Sequence, residues 1–134
     1  MKITVCKIEE GFTRDDQQLV RIDFSSEVVC GSAHLVATDL VFRIGDELDV
    51  ELDYYRCDNC AWAASNAVAS VQYNHELDFY TVCGDVSMVH EDGCFWVEVD
   101  DFRVMLEPVS HLEVKVRERL QFVLRGLELW PTRI

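Results

Sequence analysis

Apolar and polar residues alternate with a period of two along most of the chain, and short turns punctuate the alternation. This is the pattern of half-buried β-strands. Requiring apolar residues to share a face registers three hairpins. The first spans Asp39 to Tyr54 around Gly45-Asp46-Glu47, setting Ile44 against Leu48, Phe42 against Val50 and Leu40 against Leu52. The second turns at Asn74-His75-Glu76, matching Tyr73 with Leu77 and Val71 with Phe79. The third turns at Asp92-Gly93, a dipeptide that readily takes positive φ, and opposes Val86 to Val99, Met88 to Val97 and His90 to Phe95. A further turn at Asp100-Asp101 continues that face through Phe102, Val104 and Leu106 and opposes Glu98 to Arg103, a favourable cross-strand pair. Residues 85–107 therefore read as a three-stranded meander.

Further strands are expected at 2–8, 18–24 and 28–37. Two segments are less regular. The alanines of Cys57–Ser70 predict one short helix near 58–70. Residues 112–124 fit either a strand or a helix with Ser110–Glu113 as a capping box; the β character of the rest favours the strand. The fold class is mainly β: an antiparallel barrel or sandwich of meandering hairpins. With no repeat, linker or low-complexity tract, residues 1–134 form a single domain.

The charge changes this picture more than the composition does. Hydrophobic residues make up 49%, ordinary for a folded domain, but 12 Lys and Arg face 25 Asp and Glu, a formal −13. Such a field disfavours direct contact with nucleic acid or an anionic membrane surface, both of which are gripped through Lys and Arg, and it accelerates the approach of basic partners. It is also unevenly spread. Residues 111–134 hold five basic and three acidic residues, net +2, whereas the first 110 hold seven and 22, net −15. Lys115, Arg117 and Arg119 would share one face of a strand and could pair with acids on a neighbouring strand. The N-terminal residues lack the apolar core of a signal peptide, so the expected compartment is the cytoplasm.

Glu47-Leu-Asp-Val-Glu-Leu-Asp53 is the most distinctive segment. As a strand it puts Leu48, Val50 and Leu52 on one side and Glu47, Asp49, Glu51 and Asp53 on the other. Same-face carboxylates then lie about 6.7 Å apart and repel by roughly 0.6 kcal/mol per neighbouring pair in water. A solvated sheet face tolerates that; a docking stripe for a basic partner uses it. Glu47, Asp49, Glu51 and Asp53 are the candidate partner-binding residues.

No catalytic motif stands beside them. HExxH, a glycine-rich phosphate loop and a Ser/His/Asp spacing are all missing, so an enzyme is not expected and no cofactor is implied. Cys57-Asp-Asn-Cys60 is a CxxC that could offer two metal ligands or a redox pair. It lacks a second CxxC and a βαβ context, so reduced cysteines acting as small hydrophobes are the plainer account.

Small size, strong acidity and missing catalytic motifs together resemble the immunity proteins that bacteria carry against their own toxins, including those of contact-dependent growth inhibition systems. That resemblance implies a cognate toxin partner with a basic surface, often a nuclease, occluded by Glu47, Asp49, Glu51 and Asp53. The alternative is a small β-barrel accessory or ligand-binding domain in which the acidity serves solubility.

Overall fold

Alternation becomes a strand wherever a neighbouring strand supplies backbone hydrogen bonds, and here those neighbours are mostly distant in sequence. The computed structural model describes residues 1–132 and contains eleven strands, with no helix among the described residues. Five close a barrel in the order β1 (Lys2–Arg14), β2 (Gln17–Ser25), β3 (Cys30–Val36), β11 (Glu128–Pro131) and β4 (Glu47–Asp53). The second sheet runs β5 (Arg56–Trp62), β10 (Arg119–Arg125), β7 (Phe79–Val89), β8 (Phe95–Val99) and β9 (Phe102–Leu106), with β6 (Ser70–Asn74) also on β7. The expected mainly β architecture is present as a closed barrel joined to an antiparallel sheet. All barrel pairings are antiparallel except β3 with β11.

One apolar cluster draws on both sheets, from Ile3, Ile22, Leu35 and Leu129 of the barrel to Val97, Val104, Phe122 and Leu124 of the second sheet. Its joint is Tyr80. The phenol donates to the Ser32 carbonyl at 2.8 Å and lies so close to Gly31 that a Cβ there would meet its oxygen at 2.2 Å. Nearby, Arg21 donates to Asp78 at 2.5 Å and to Tyr73 at 3.2 Å, while Tyr73 donates to Asp78 at 2.7 Å. At the other junction Tyr54 donates to the Met105 carbonyl at 2.7 Å.

Several expectations are corrected. Residues 39–46 do not form the first arm of a hairpin. β4 instead pairs with β1 and β11, which close the barrel around it. The preceding segment turns twice: Leu40 donates to Ala37, and the Asp46 carboxylate accepts the Arg43 amide at 2.8 Å. Leu40 and Phe42 still pack on the core from this loop, which explains their alternation, while Val41 and Ile44 are exposed.

The hairpin at 74–76 exists with a longer loop. Asn74 opposes Phe79, Tyr73 opposes Tyr80 and Val71 opposes Val82, because the Asn74 side chain and carbonyl hold Leu77 and Asp78 in the turn. The pairing parity flips accordingly, burying Tyr80 and Val82 and leaving Leu77 exposed. The meander over 85–107 is present as β7–β8–β9. Its last turn has the expected register, with Val99 opposite Phe102 and Glu98 opposite Arg103. Its first arm differs: a bulge between Val86 and Met88 sets Val86 against Val97 and Val89 against Phe95.

The helix near 58–70 is replaced by β5 and an irregular segment. Helix propensity is a weak prior, and here the edge of β10 supplies a strand ladder to residues 56–62. In 112–124 the strand reading holds only from Arg119, where Leu120, Phe122 and Leu124 are buried. Residues 112–118 form no strand and turn at 115–118, with Arg117 at φ 75°, so Lys115, Arg117 and Arg119 share no strand face. The basic Arg133 lies outside the described residues.

Candidate functional site: the acidic face of strand β4

β4 alternates as its sequence predicts. Glu47, Asp49, Glu51 and Asp53 are exposed, Val50 is buried, and Leu48 and Leu52 are half-buried. Hydrogen bonding to β1 on one edge and β11 on the other fixes the row of carboxylates on a rigid support. Lys2 stands opposite Asp49, Thr4 opposite Glu47, Trp130 opposite Glu51 and Glu128 opposite Asp53.

Among the described residues little of this charge is neutralised. Lys2 Nζ comes within 3.9 Å of Glu47 Oε2, with both side chains more than 60% exposed, a geometry worth little in water. Among the described residues Asp49, Glu51 and Asp53 take part in no salt bridge. Asp53 accepts the Tyr54 amide at 2.8 Å. Asp101 adds another acid beside the row, accepting the Lys2 amide at 3.4 Å.

Six acids outside β4 do have a cation among the described residues, and those on the second sheet are held closely. Arg119 grips both oxygens of Asp85, at 2.7 and 3.1 Å. Arg125 and Arg56 both reach Asp58 at 3.0 Å. Arg14 meets Glu128 at 2.9 Å and Arg103 meets Glu98 at 3.0 Å. These partners leave a mark on protonation. The hydrogen bond from Arg119 holds Asp85 below the usual carboxylate range, and that from Arg125 does the same for Asp58. For Asp78, burial pushes upward, but the bonds from Arg21 and Tyr73 outweigh it. The basic residues of β10 are therefore spent on β5 and β7, and do not reach the β4 row.

Cys57 and Cys60 both face the core although three residues apart, because a bulge opposite Phe122, with Asn59 at φ 57°, absorbs the odd residue. They line a surface cavity of about 860 Å³ together with Tyr54, Cys94, Met105 and His111. The fold thus brings Cys94 and His111, distant in sequence, to the Cys57–Cys60 pair. Even so, no three His, Cys, Asp or Glu side chains among the described residues are grouped to hold a metal ion. Burial, then the neighbouring Cys60 and Asp58, push the Cys57 thiol up to about 12, and burial raises Cys60 as well. Both are held as thiols, the opposite of an activated redox pair. Each of the six cysteines is free.

His34 is half-buried on the barrel, edge-on to Phe12 at 5.3 Å. Desolvation, then Arg21, lower its pKa. The sequence reading also missed what flanks the acidic row. A groove of about 320 Å³ runs between Glu51, Asp53 and Trp130 on the barrel and Trp96 and Met105 on the second sheet, with Tyr54 at the junction. No sequence signal marks it, since its parts converge only through the β4–β11 pairing and the packing of β4 beside β9.

Fold and site together define a class: a small acidic β-barrel with an appended sheet and an exposed carboxylate row. No protein-family model matches the chain, and no curated protein or solved structure matches it either. No helix among the described residues is long and apolar enough to cross a membrane.

Proposed function

We propose that this chain is a cytoplasmic, non-catalytic inhibitor of the immunity-protein kind, which neutralises a cognate bacterial toxin domain with a basic surface by lying over it with the β4 face. The observation that carries the reading is the contrast in charge pairing. Asp58, Asp78 and Asp85 are matched by arginines, whereas Asp49, Glu51 and Asp53 have no such partner among the described residues. A preorganised row of carboxylates steers a basic partner and speeds encounter. It repels nucleic acid, so a nuclease would be inhibited by occupation of its substrate cleft.

The test is co-purification with the product of the adjacent upstream gene, followed by association kinetics. Charge reversal at Asp49 and Glu51 (Asp49→Lys with Glu51→Lys) should slow association at least tenfold and flatten its salt dependence. Failure to capture that product removes the inhibitor reading. An unchanged on-rate removes β4 from it.

A second reading rests on the cavity at Cys57, Cys60, Cys94 and His111: an accessory domain that binds a small molecule there. It does not bind one inside the barrel, whose interior is filled by side chains such as Ile22, Leu35 and Leu129, each at most 1% exposed, as the small bore of a five-stranded barrel dictates. A thermal-shift screen with the thiols kept reduced tests this reading.

A further inference from the structure

The acidic row has an aromatic neighbour that sharpens what the partner must present. In the groove beside it, Trp130 stands directly opposite Glu51 on the β11–β4 ladder. The indole is half-buried and its Nε1 is fully buried, without an acceptor among the described residues, so the part it exposes is carbon. Met105 and Trp96 form the facing wall, and Asp53 lies two residues along the strand from Glu51 on the same face.

The molecule uses these same components on the groove's far wall, where Trp96 stands beside Met105. On the outer surface of the second sheet the Arg103 guanidinium stacks 4.0 Å over the Trp96 ring while its Nε meets Glu98 at 3.0 Å. Indole, guanidinium and carboxylate complete one another there. The near wall repeats the indole in Trp130 and the carboxylates in Glu51 and Asp53, but no cation among the described residues pairs with either acid.

We propose that this groove is an arginine slot, receiving one arginine side chain of a basic protein partner with its stem against Trp130 and Met105 and its guanidinium between Glu51 and Asp53. The proposal rests on the inhibitor reading above and names the contact that anchors it. Arginine fits better than lysine because its planar, weakly hydrated head stacks on aromatic faces and forks onto carboxylates, and its stem is apolar. A buried arginine against an aromatic wall is also the usual composition of an energetic hot spot, whereas the rim-exposed Glu47 and Asp49 would govern encounter.

The test uses the intact protein with ¹⁵N-labelled tryptophan indoles, titrated with a hexa-arginine peptide and, as a control of equal charge, a hexa-lysine peptide. The expected result is that the Trp130 indole resonance moves most, that hexa-arginine binds at least tenfold more tightly than hexa-lysine, and that Glu51→Gln with Asp53→Asn abolishes the preference. Trp130→Leu, which keeps an apolar β11 side chain, should do the same. If it fails to fold, the carboxylate pair carries the test alone. Equal affinity for the two peptides, or shifts spread over the acidic surface with Trp130 unmoved, overturns the slot. The two readings fail separately. A captured toxin whose affinity is unchanged by Glu51→Gln with Asp53→Asn overturns the slot and leaves the inhibitor. Selective arginine binding with no toxin captured keeps the slot and removes the inhibitor.

Discussion

The carboxylates of the second sheet and those of β4 are the same chemical groups under opposite arrangements. Asp85 and Asp58 each sit against arginines of β10, and the turn acid Asp78 is gripped by Arg21 from the barrel. There the charge ties strand to strand. On β4, among the described residues, only Glu47 has a cation near it, at 3.9 Å and exposed. A protein with 12 basic residues for 25 acidic ones cannot pair them all, and among the described residues Asp49, Glu51 and Asp53 of its most regular row have no cation. The arginine-paired acids belong to the fold, and among the acids without a cation in the described residues the β4 row is the one set out in order on a strand face.

The contrast depends on barrel and sheet being one body, and the largest expected effect tests that joint. Gly31→Ala would drive a methyl into the buried Tyr80 ring, whose oxygen and Cζ lie 2.2 and 2.8 Å from the new Cβ position. Overpacking of this kind should cost about 3 kcal/mol, read as a lower urea midpoint. Tyr80→Phe alone should cost about 1–2 kcal/mol, because it strands the Ser32 carbonyl without its donor. Combined, the two should be less than additive, since removing the hydroxyl relieves the clash. Strict additivity would mean that Gly31 and Tyr80 do not form the joint.

Acid titration separates the two sets of carboxylates next. Asp58, Asp78 and Asp85 have folded pKa values below their ordinary 3.8. Their contribution to stability is therefore complete above about pH 4 and drains away as pH falls through the folded values. Asp85→Asn should lower stability at pH 7 and converge with the parent near pH 2, the gap closing below about pH 4. Because Asp85 is nearly half exposed, solvent screening keeps the gap to at most about 1 kcal/mol. A gap that persists at pH 2 would show that the side chain matters through packing and not through the Arg119 pair.

How much of this was legible beforehand follows from the range of the interactions. The Glu47–Asp53 strand and its exposed acidic face could be read because period-two alternation is local, and so could the Asp100-Asp101 turn with its Glu98–Arg103 pair. Partners could not. Nothing between residues 39 and 54 announces that β4 closes against Met1–Thr4 and Glu128–Pro131, so Leu40 and Phe42 were matched to the nearest strand that fitted. The bulges beside Val86 and at Asn59 shift register by one residue, which alternation alone cannot position. The alanines near Cys60 favoured a helix until an open edge on β10 offered a ladder. The groove at Trp130 needed the β4–β11 pairing and the packing of β4 beside β9 at once.

The smallest expected effect has the opposite sign. Glu51 lies between Asp49 and Asp53 on one strand face, about 6.7 Å from each, and both neighbours lack a cation among the described residues. Two repulsions of roughly 0.6 kcal/mol in water, reduced by salt, are relieved when its charge is removed. Glu51→Gln should therefore raise stability by a few tenths of a kcal/mol at low ionic strength, with the gain fading towards 0.5 M salt as the Debye length shrinks below the spacing. Asp85→Asn, an equally modest edit, should lower stability under the same conditions. A pair of neutralisations that differ in sign is what separates an acid spent on the fold from one held in reserve. If Glu51→Gln destabilises instead, Glu51 has a partner within the molecule, and the case for an open docking row on β4 fails with it.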